Sequence, residues 1–411
     1  MNKQKLKLMN FPVLHLFSFM LVACACSQKV SVTLKNPLSE PISGLVCELD
    51  SDTLMQSIAP NLVAYDQGRE IPSQVILQDG IPVSVLIQAD FSPDEEKEII
   101  LKKGTPSEFP AKTQAELSVK EGGEWIWVKK KSGKEQYEYV GGDWKNVSSI
   151  KVDKKHTDHS FDIRYEGPGW ESDKIGFRFY LDWRNANDIF GKKTDKLILH
   201  KVGLDGFDSY HEMSDWGTDI LKVGESLGIG TIAHWADSAA NRVVKTDSIF
   251  SEVSYSGLLE SKITTTYYGW EFANGKTDLI SELSIRAGSY LTKTHLTSTD
   301  LIDNFCTGIV RMDSTIVLNS TGSAGEWQYM ATFGKQSLQN DRMGLFIFFR
   351  AKDLIETTTD QYSHVVVLKP EGKELTYYFG GVWEQDASGI KSREAFKSFL
   401  DQQQALLNGD L

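Results

Sequence analysis

Cysteine is scarce in this chain of 411 residues: only four are present, and two of them lie near the start, at Cys24 and Cys26. No Cys-x-x-Cys pair occurs in the body of the chain, so a structural zinc site is not expected there. The body retains only Cys47 and Cys306. An oxidising compartment would permit a disulfide, but spacing in the sequence does not establish its geometry. We expect two buried free cysteines.

Signatures of several common functional classes are also missing. No Gly-x-Ser-x-Gly motif occurs, which disfavours a serine esterase. The run from Gly224 to Gly230 lacks both a phosphate-loop lysine and a strand–turn–helix setting, which argues against a nucleotide site. No EF-hand pattern is present. We therefore expect no cofactor, with calcium as the one ion for which acidic loops would supply oxygen ligands.

Positive charge is in deficit. The chain has 44 Lys and Arg residues against 56 Asp and Glu residues, a formal net charge of −12 at pH 7. Such a surface repels nucleic acid and anionic membranes at long range, so neither is an expected partner. An anionic substrate would have to be held by a local cluster of cations.

Long hydrophobic runs are absent apart from one apolar segment, Phe11–Ala23, which follows Lys3, Lys5 and Lys7. This segment is too short to span a membrane, and the pattern predicts a signal peptide over residues 1–23. The sequence Leu-Val-Ala-Cys that ends at Cys24 resembles the processing box of bacterial lipoproteins. An ordinary cleaved secretory signal is the alternative.

The lipoprotein resemblance implies that Cys24 becomes the lipid-bearing first residue of the mature protein. Residue 25 is Ala rather than Asp, which in this class of signals implies the outer membrane. The predicted location is therefore the cell envelope, as an outer-membrane lipoprotein that faces the periplasm. Membrane contact would occur only through the lipid anchor.

Helical periodicity is rare, and most of the chain reads as short strands. Residues 24–110 contain β-branched segments separated by turn-forming Asn, Pro, Asp and Gly, which predicts an N-terminal β-rich region. Residues 111–411 continue with β-branched and aromatic segments, which predicts a second, larger β domain. Only the end of the chain favours a helix, beginning near Ser392, with Phe396, Phe399 and Leu400 on one face. The predicted fold class is mainly β with a short C-terminal helix.

The segment Lys174–Lys193 carries the strongest strand pattern. Apolar side chains alternate with polar ones, and this period of two predicts a strand with an apolar face and a polar face. The polar face would carry Arg178, Tyr180, Asp182 and Arg184. A row of guanidinium, phenol and carboxylate groups fits a functional site, although cross-strand salt bridges on an exposed sheet are the alternative.

Further chemistry follows between His156 and Trp235. The indole rings of Trp170, Trp216 and Trp235 would suit stacking against sugar rings, with core packing as the alternative for each. His156 and His159 form a potential metal pair, but they lie in a polar turn and we expect them to be solvated.

Three stretches carry a resemblance to a known family. They are YEGPGWESDKIGFRFYLDWRNANDIFGKK, YHEMSDWGTDILKVGESLGIG, and YYFGGVW followed by the terminal helix. They resemble a family of exported bacterial proteins encoded in polysaccharide-utilisation loci, whose domain has carried an unknown-function label. The resemblance implies a β-supersandwich similar to mutarotase-like and polysaccharide-lyase domains. It also implies dehydration of uronate-containing oligosaccharides, as in ulvan breakdown.

Such a dehydration needs a base for the C5 proton, an acid for the departing hydroxyl and a cation for the substrate carboxylate. Histidine or tyrosine suits the proton transfers, and arginine suits the carboxylate. The candidate catalytic residues are His211 or His234 as base, Tyr210 or Tyr180 as acid, and Asp215 or Glu212 to orient the histidine. The candidate substrate-binding residues are Arg178, Arg184, Trp170, Glu171, Trp216 and Lys222. We expect Arg178, Tyr180, Arg184, Tyr210 and His211 to meet on one face.

Two other classes are open. One is a glycoside hydrolase, for which Glu171, Asp182, Glu212 and Asp215 are candidate carboxylates. The other is a non-catalytic glycan-binding lipoprotein that uses the tryptophans and arginines. In all three classes the expected partner is a uronate-containing oligosaccharide.

Overall fold

The computed structural model describes residues 29–50 and 61–409, whose regular structure consists of antiparallel strands, four short 3₁₀ helices and one α-helix near the end. The signal peptide predicted over residues 1–23 and the lipidation predicted at Cys24 lie outside the described residues. Among the described residues, no helix combines the length and apolar character needed to cross a membrane.

The N-terminal part is a small sandwich of two sheets. One sheet has the strand order β1-β7-β3-β4 and the other has the order β2-β6-β5. The strands are β1 Lys29–Lys35, β2 Ile42–Asp50, β3 Leu62–Asp66, β4 Arg69–Ile71, β5 Ser73–Gln78, β6 Ile81–Phe91 and β7 Glu96–Lys103. Alternate residues such as Val32, Leu34, Ile99 and Leu101 fill the space between the sheets, because successive strand side chains point to opposite faces.

The next part forms a five-stranded sheet, with the order β15-β14-β13-β12-β8, and a separate two-stranded hairpin of β9 and β10. The strands are β8 Thr113–Glu116, β9 Ser118–Lys129, β10 Glu135–Asn146, β11 Ser149–Lys151, β12 Gly169–Ser172, β13 Gly176–Phe179, β14 Asn187–Lys192 and β15 Gly217–Asp219.

The rest of the chain forms a nine-stranded sheet and a second five-stranded sheet. Their orders are β11-β18-β19-β20-β21-β28-β25-β24-β23 and β17-β16-β22-β27-β26. The strands are β16 Ala233–Ala236, β17 Ala239–Arg242, β18 Ser248–Ser256, β19 Glu260–Phe272, β20 Gly275–Arg286, β21 Leu291–Ser298, β22 Phe305–Val310, β23 Thr315–Asn319, β24 Trp327–Lys335, β25 Arg342–Arg350, β26 Leu354–Thr359, β27 Ser363–Leu368 and β28 Glu374–Trp383.

One face of the nine-stranded sheet packs on both five-stranded sheets. Phe177 of β13 meets Phe379 of β28 with ring centroids 5.5 Å apart. Trp270 of β19 stacks on Phe305 of β22 at 6.1 Å. A single large apolar core runs through these layers. This extended sandwich confirms the mainly β fold predicted from the sequence.

The predicted C-terminal helix is confirmed as α1, Arg393–Asn408. The Ser392 hydroxyl accepts a hydrogen bond from the backbone N–H of Ala395, which caps the first turn. Phe396 and Leu400 are fully buried, and Phe396 stacks on Phe333 of β24 at 5.3 Å. The helix therefore covers one end of the outer face of the nine-stranded sheet.

The strand predicted over Lys174–Lys193 is shorter than its sequence pattern. Strand β13 ends at Phe179, and the chain then turns back into β14, with Asn185 in the left-handed region at φ 41°. Trp183, placed on the apolar face by the alternation, is 44% exposed in that turn. Conversely, the face predicted to be polar is buried at Arg178, which is 2% exposed. The same alternating sequence pattern is produced by one long strand and by a hairpin whose turn residues also alternate, so the pattern alone does not predict this turn.

Both cysteines in the body of the chain are free and buried, as predicted. Cys47 lies in the core of the N-terminal sandwich, while Cys306 packs in a separate cluster beneath the second five-stranded sheet. Burial raises the pKa of the Cys47 thiol to about 11, so this thiol is unreactive at neutral pH.

Candidate functional site

Arg178 lies at the centre of a buried ionic network. Its Nε and Nη2 donate to Asp188 Oδ2 at 3.0 and 2.7 Å, and Nη2 also donates to Asp219 Oδ2 at 2.5 Å. Its Nη1 donates to the Tyr210 hydroxyl at 3.0 Å. The antiparallel register explains the first pair, because Arg178 on β13 lies directly opposite Asp188 on β14. Strand β15 supplies Asp219, and the 3₁₀ turn Ser209–His211 supplies Tyr210.

Two carboxylates therefore share one guanidinium. Burial raises the pKa of Asp188 to about 6, and the neighbouring charge of Asp219 adds to this effect, while Arg178 opposes it. The hydroxyl of Tyr180 also donates to Asp188.

His211 is held by acceptors on both ring nitrogens. Nδ1 lies 2.9 Å from the carbonyl oxygen of Phe207, and Nε2 lies 3.3 Å from Asp219 Oδ2. A carbonyl can only accept, so Nδ1 carries the hydrogen of that bond, and Nε2 faces the negative charge of Asp219, which favours the protonated ring. Burial lowers the pKa of His211, but the hydrogen bond to Asp219 and its charge outweigh burial, and the pKa is raised. This geometry suits an acid or an anion-binding group better than a base.

Arg184 extends the network. Its guanidinium carbon lies 3.7 Å from the ring centroid of Tyr180, and its Nε donates to Asp182 at 3.0 Å. Its Nη2 lies 2.9 Å from Glu166 Oε1 and 3.0 Å from Asp158 Oδ1. The structure thus brings Arg178, Tyr180, Arg184, Tyr210 and His211 together through shared partners. The hydrogen bonds of Arg178 all go to groups inside the protein, so Arg178 is not positioned to bind a substrate carboxylate.

Glu166 was not among the sequence candidates, yet it lies between the two arginines. Its Oε1 also accepts from the backbone N–H of His159 at 3.0 Å, whereas its Oε2 is buried without a hydrogen bond among the described residues. Glu166 and Tyr165 have φ values of 72° and 39°, in the left-handed region that non-glycine residues rarely adopt. Such strain is concentrated at functional sites, where the surrounding structure holds it in place.

A cleft of about 270 Å³ opens beside this network. Its wall includes Glu166 and Tyr210 from the network. The hairpin β9–β10 contributes Lys120, Asp143 and Trp144 on the other side. Aromatic, carboxylate, phenol and ammonium groups therefore face one space, which is the combination expected of a site for a polar ring such as a sugar. The cleft is also lined by Phe161, Ile163, Tyr165, Leu204, Asp205 and Phe207.

One group of side chains near the cleft could hold a metal ion: Asp158, His159 and Glu166 offer ligand atoms within 4.8 Å of one another. The Nη2 of Arg184, however, contacts both carboxylates of this group. The guanidinium therefore occupies the place a cation would take, and a metal would have to displace it. His156 and His159 were predicted to be solvated, but His156 is buried with Nδ1 2.8 Å from Asp162 Oδ1, and His159 is half-buried.

Trp170 and Glu171 were predicted to contact the substrate, but the structure places both side chains in the interior. Trp170 is 0% exposed, stacks on Phe177 and donates from Nε1 to Thr292 at 2.8 Å. Glu171, its neighbour, pairs with Lys192 Nζ at 2.7 Å and accepts two backbone N–H groups. Trp170 points from β12 toward the nine-stranded sheet, and Glu171 points to the opposite face, where Lys192 and the backbone of Ile198 and Leu199 enclose it. Neither residue can touch a substrate.

The remaining candidates lie apart from the network. His234, on β16, is fully buried and bonded through Nε2 to Asp303 at 2.8 Å. Trp216 is half-buried and packs edge-to-face on Phe190 at 6.0 Å. Lys222, Glu212 and Asp215 are exposed, and among the described residues it is Asp219, not Asp215 or Glu212, that contacts His211.

The carboxylates that matter most here were missed in the sequence. Asp188 follows Asn187, and Asp219 follows Thr218, so neither aspartate stands out from its polar neighbours in the sequence. One sequence argument would have helped to find them: a buried arginine such as Arg178 requires carboxylate partners nearby.

The fold and this site define a layered β protein with a buried ionic network beside an open polar cleft. The family model described as Domain of unknown function (DUF4861) matches residues 34–411, and the chain belongs to this family. Comparison with curated proteins finds no matching sequence.

Two solved structures are similar over 92% of this chain at 9% sequence identity. One is an alpha-mannosidase from Enterococcus faecalis V583, with a TM-score of 0.44, of which 45% is covered. The other is a protein in the Glycosyl Hydrolase Family 38 from Enterococcus faecalis, with a TM-score of 0.43, of which 46% is covered. The chain thus spans less than half the length of either protein.

Proposed function

We propose that the protein is a carbohydrate-active lyase that removes water from a uronic-acid residue of a polysaccharide-derived oligosaccharide, or cleaves the chain there by β-elimination. The observation that carries this proposal is the position of Tyr210. Its hydroxyl accepts a hydrogen bond from buried Arg178 while its ring lines the cleft beside Glu166. Because the hydroxyl oxygen accepts from Arg178, its own hydrogen is left to donate to a substrate.

In the proposed reaction a base takes the C5 proton, the C4–O bond breaks, and a C4–C5 double bond forms. We assign Glu166 as the base, since it lines the cleft and its Oε2, 3.7 Å from Arg178 Nη1, accepts no hydrogen bond among the described residues. Tyr210 gives its proton to the departing oxygen, and Arg178 stabilises the phenolate that remains. Lys120, which lines the cleft, is the cation available to the substrate carboxylate.

The proposal extends to location and partners. The protein would be a lipoprotein of the cell envelope, attached to the outer membrane through Cys24 and facing the periplasm. Its partner would be a uronate-containing oligosaccharide, such as one derived from ulvan, and not nucleic acid. No step in the proposed chemistry uses a cofactor.

A glycoside hydrolase is the second candidate. It is supported by Asp143 and Asp205, which line the same cleft as Glu166. A hydrolytic pair needs two carboxyl groups roughly 5–10 Å apart across the scissile bond. Glu171 and Asp182, two of the carboxylates predicted for this role, form ion pairs inside the protein with Lys192 and Arg184, respectively.

The experiment that tests the proposal is incubation of the purified protein with uronate-containing oligosaccharides, followed by mass spectrometry and ultraviolet spectroscopy. Loss of one water, with new absorbance from a double bond conjugated to the carboxylate, is the expected result. Chain shortening with that absorbance would indicate a lyase, and shortening without it a hydrolase. Binding without any change in mass would overturn the enzyme proposal in favour of a glycan-binding protein.

A further inference from the structure

A second groove lies on the outer face of the nine-stranded sheet, away from the cleft. Three adjoining cavities of about 230, 230 and 380 Å³ share Lys293 in their walls. Two of them also share Arg286, and Tyr378 and His295 each line two. The groove is bounded by the N-terminal sandwich and by α1, and its described lining residues include none from the cleft.

Strand register places the floor of this groove in a regular row. Lys262 on β19 is opposite Ser284 on β20, which is opposite Lys293 on β21, which is opposite Tyr378 on β28. Residues directly opposite one another in a sheet project from the same face. The row therefore crosses four adjacent strands, a distance of about 14 Å at the usual strand spacing.

Arg286 and Lys262 in the groove form ion pairs, whereas Lys293 forms none among the described residues. Arg286 contacts Glu48 and Glu260, and Lys262 contacts Glu282 at 2.9 Å. Within residues 29–50 and 61–409, no carboxylate lies within 4.0 Å of Lys293 Nζ. Burial lowers the pKa of Lys293 and the charge of Arg286 lowers it further, while the charges of Glu48 and Glu260 oppose this in part. An anion bound at Lys293 would offset the remaining effect.

The rest of the lining is polar and aromatic. His295 Nδ1 lies 3.0 Å from the Thr376 hydroxyl, and Trp327 packs edge-on against Tyr378 at 5.0 Å. Asp353, Glu371 and Glu374 line the largest cavity, which Arg286 does not line, and they would repel an anion there. Glu48, Glu260 and Glu282 line the cavity that contains both Arg286 and Lys293, but they are paired with Arg286 or Lys262. The anionic end of a ligand is therefore expected at Lys293, and its hydroxyl-bearing remainder along Tyr378 and His295.

We propose that this groove is a second saccharide-binding site, which takes the carboxylate or sulfate of an acidic sugar at Lys293. The site would hold a polysaccharide chain at the outer face of the sheet, independently of any chemistry in the cleft. A carboxylate and a sulfate group both carry negative charge on oxygen atoms that accept hydrogen bonds. The structure therefore indicates an anion, and the experiment identifies which of the two it is.

The test is isothermal titration of the full-length mature protein with three trisaccharides of equal length: one carrying glucuronate, one sulfated and one neutral. The protein would carry Tyr210→Phe so that the ligand is not consumed. We expect binding of at least one acidic ligand, with Lys293→Met weakening it about tenfold or more and Lys293→Arg retaining it. Lys335→Met, at an exposed position on β24, is the matched control and should bind like the parent.

The outcomes separate clearly. Preference for the glucuronate or for the sulfated ligand identifies the anion. Equal binding of the neutral trisaccharide, or undiminished binding by Lys293→Met, would overturn the proposal. Thermal unfolding of each variant shows whether lost binding reflects lost folding, and Lys293→Arg keeps the test valid if Lys293→Met is unstable. Failure of the elimination assay would leave this result unaffected, because the binding is measured without turnover.

Discussion

The Nη1 of Arg178 donates a hydrogen bond to the hydroxyl of Tyr210 over 3.0 Å, and it does so from the interior of the protein toward the wall of the cleft. A fixed positive charge behind a phenol stabilises the phenolate that forms when the phenol gives up its proton. The pair therefore joins the buried ionic network to the cleft.

Tyr210→Phe is expected to lower the rate of elimination by about 10²–10⁴-fold, because it removes the proton donor and keeps the ring. The rate is measured from the absorbance of the new double bond. Tyr268→Phe is the matched control, since Tyr268 is 45% exposed on β19 and lies outside the cleft. Equal activity of Tyr210→Phe and the wild type would contradict the assigned role.

Asp219→Asn is expected to lower the pKa of His211, because the Asp219 carboxylate is the group that raises it. The measurement is an NMR titration of the His211 ring signal. Asp215→Asn serves as control, since Asp215 is exposed and should leave the titration unchanged. A larger shift in Asp215→Asn than in Asp219→Asn would refute the observed contact.

The same interaction predicts a pH dependence of stability. The pKa of His211 is raised on folding, so its protonated form stabilises the folded state. This contribution is complete below the unfolded value of about 6.5 and is lost as the pH rises through the raised value. The free energy of unfolding should therefore differ more between wild type and His211→Gln at pH 6 than at pH 9. A difference independent of pH would show that the ring is not protonated in the fold.

Glu171→Gln is expected to destabilise the protein by about 3–5 kcal/mol, because it leaves the buried ammonium of Lys192 without its carboxylate. Urea denaturation gives the free energy of unfolding. Glu212→Gln, at an exposed position, should change it by less than about 0.5 kcal/mol. If Glu171→Gln proved as stable as the wild type, the pair would not be structural.

Trp144→Ala is expected to raise KM about tenfold with a smaller effect on kcat, because the indole lines the cleft and offers a face to a sugar ring. Steady-state kinetics on one oligosaccharide measures both constants. Trp127→Ala is a matched control on the same hairpin, since Trp127 is 69% exposed and outside the cleft. An unchanged KM in Trp144→Ala would remove the hairpin from the binding site.

The sequence was sufficient for the fold class and for one local element. Turn residues between short β-branched segments predicted a mainly β protein, and Ser392 followed by a periodic apolar face predicted α1. Both signals are local, so they need no knowledge of what packs against them. The centre of the network was also visible, because Arg178 and Tyr210 are polar residues within strongly patterned segments.

The partners of these residues were not visible, because they are set by long-range pairing. Asp188 faces Arg178 only because the chain reverses at Asn185, and the alternating pattern continues through that turn. Trp170 shows the opposite difficulty, because an indole is equally suited to binding a sugar and to packing in a core. Only the packing of the β12 sheet in the fold shows that this indole belongs to the core.

The place of β28 in the nine-stranded sheet bears on how the chain is made. Glu374–Trp383 pairs with β21 on one side and with β25 on the other. A growing chain that lacks this segment has two long strand edges with unpaired backbone groups. Such edges pair with other chains, so premature termination or slow synthesis of the last residues is expected to cause aggregation.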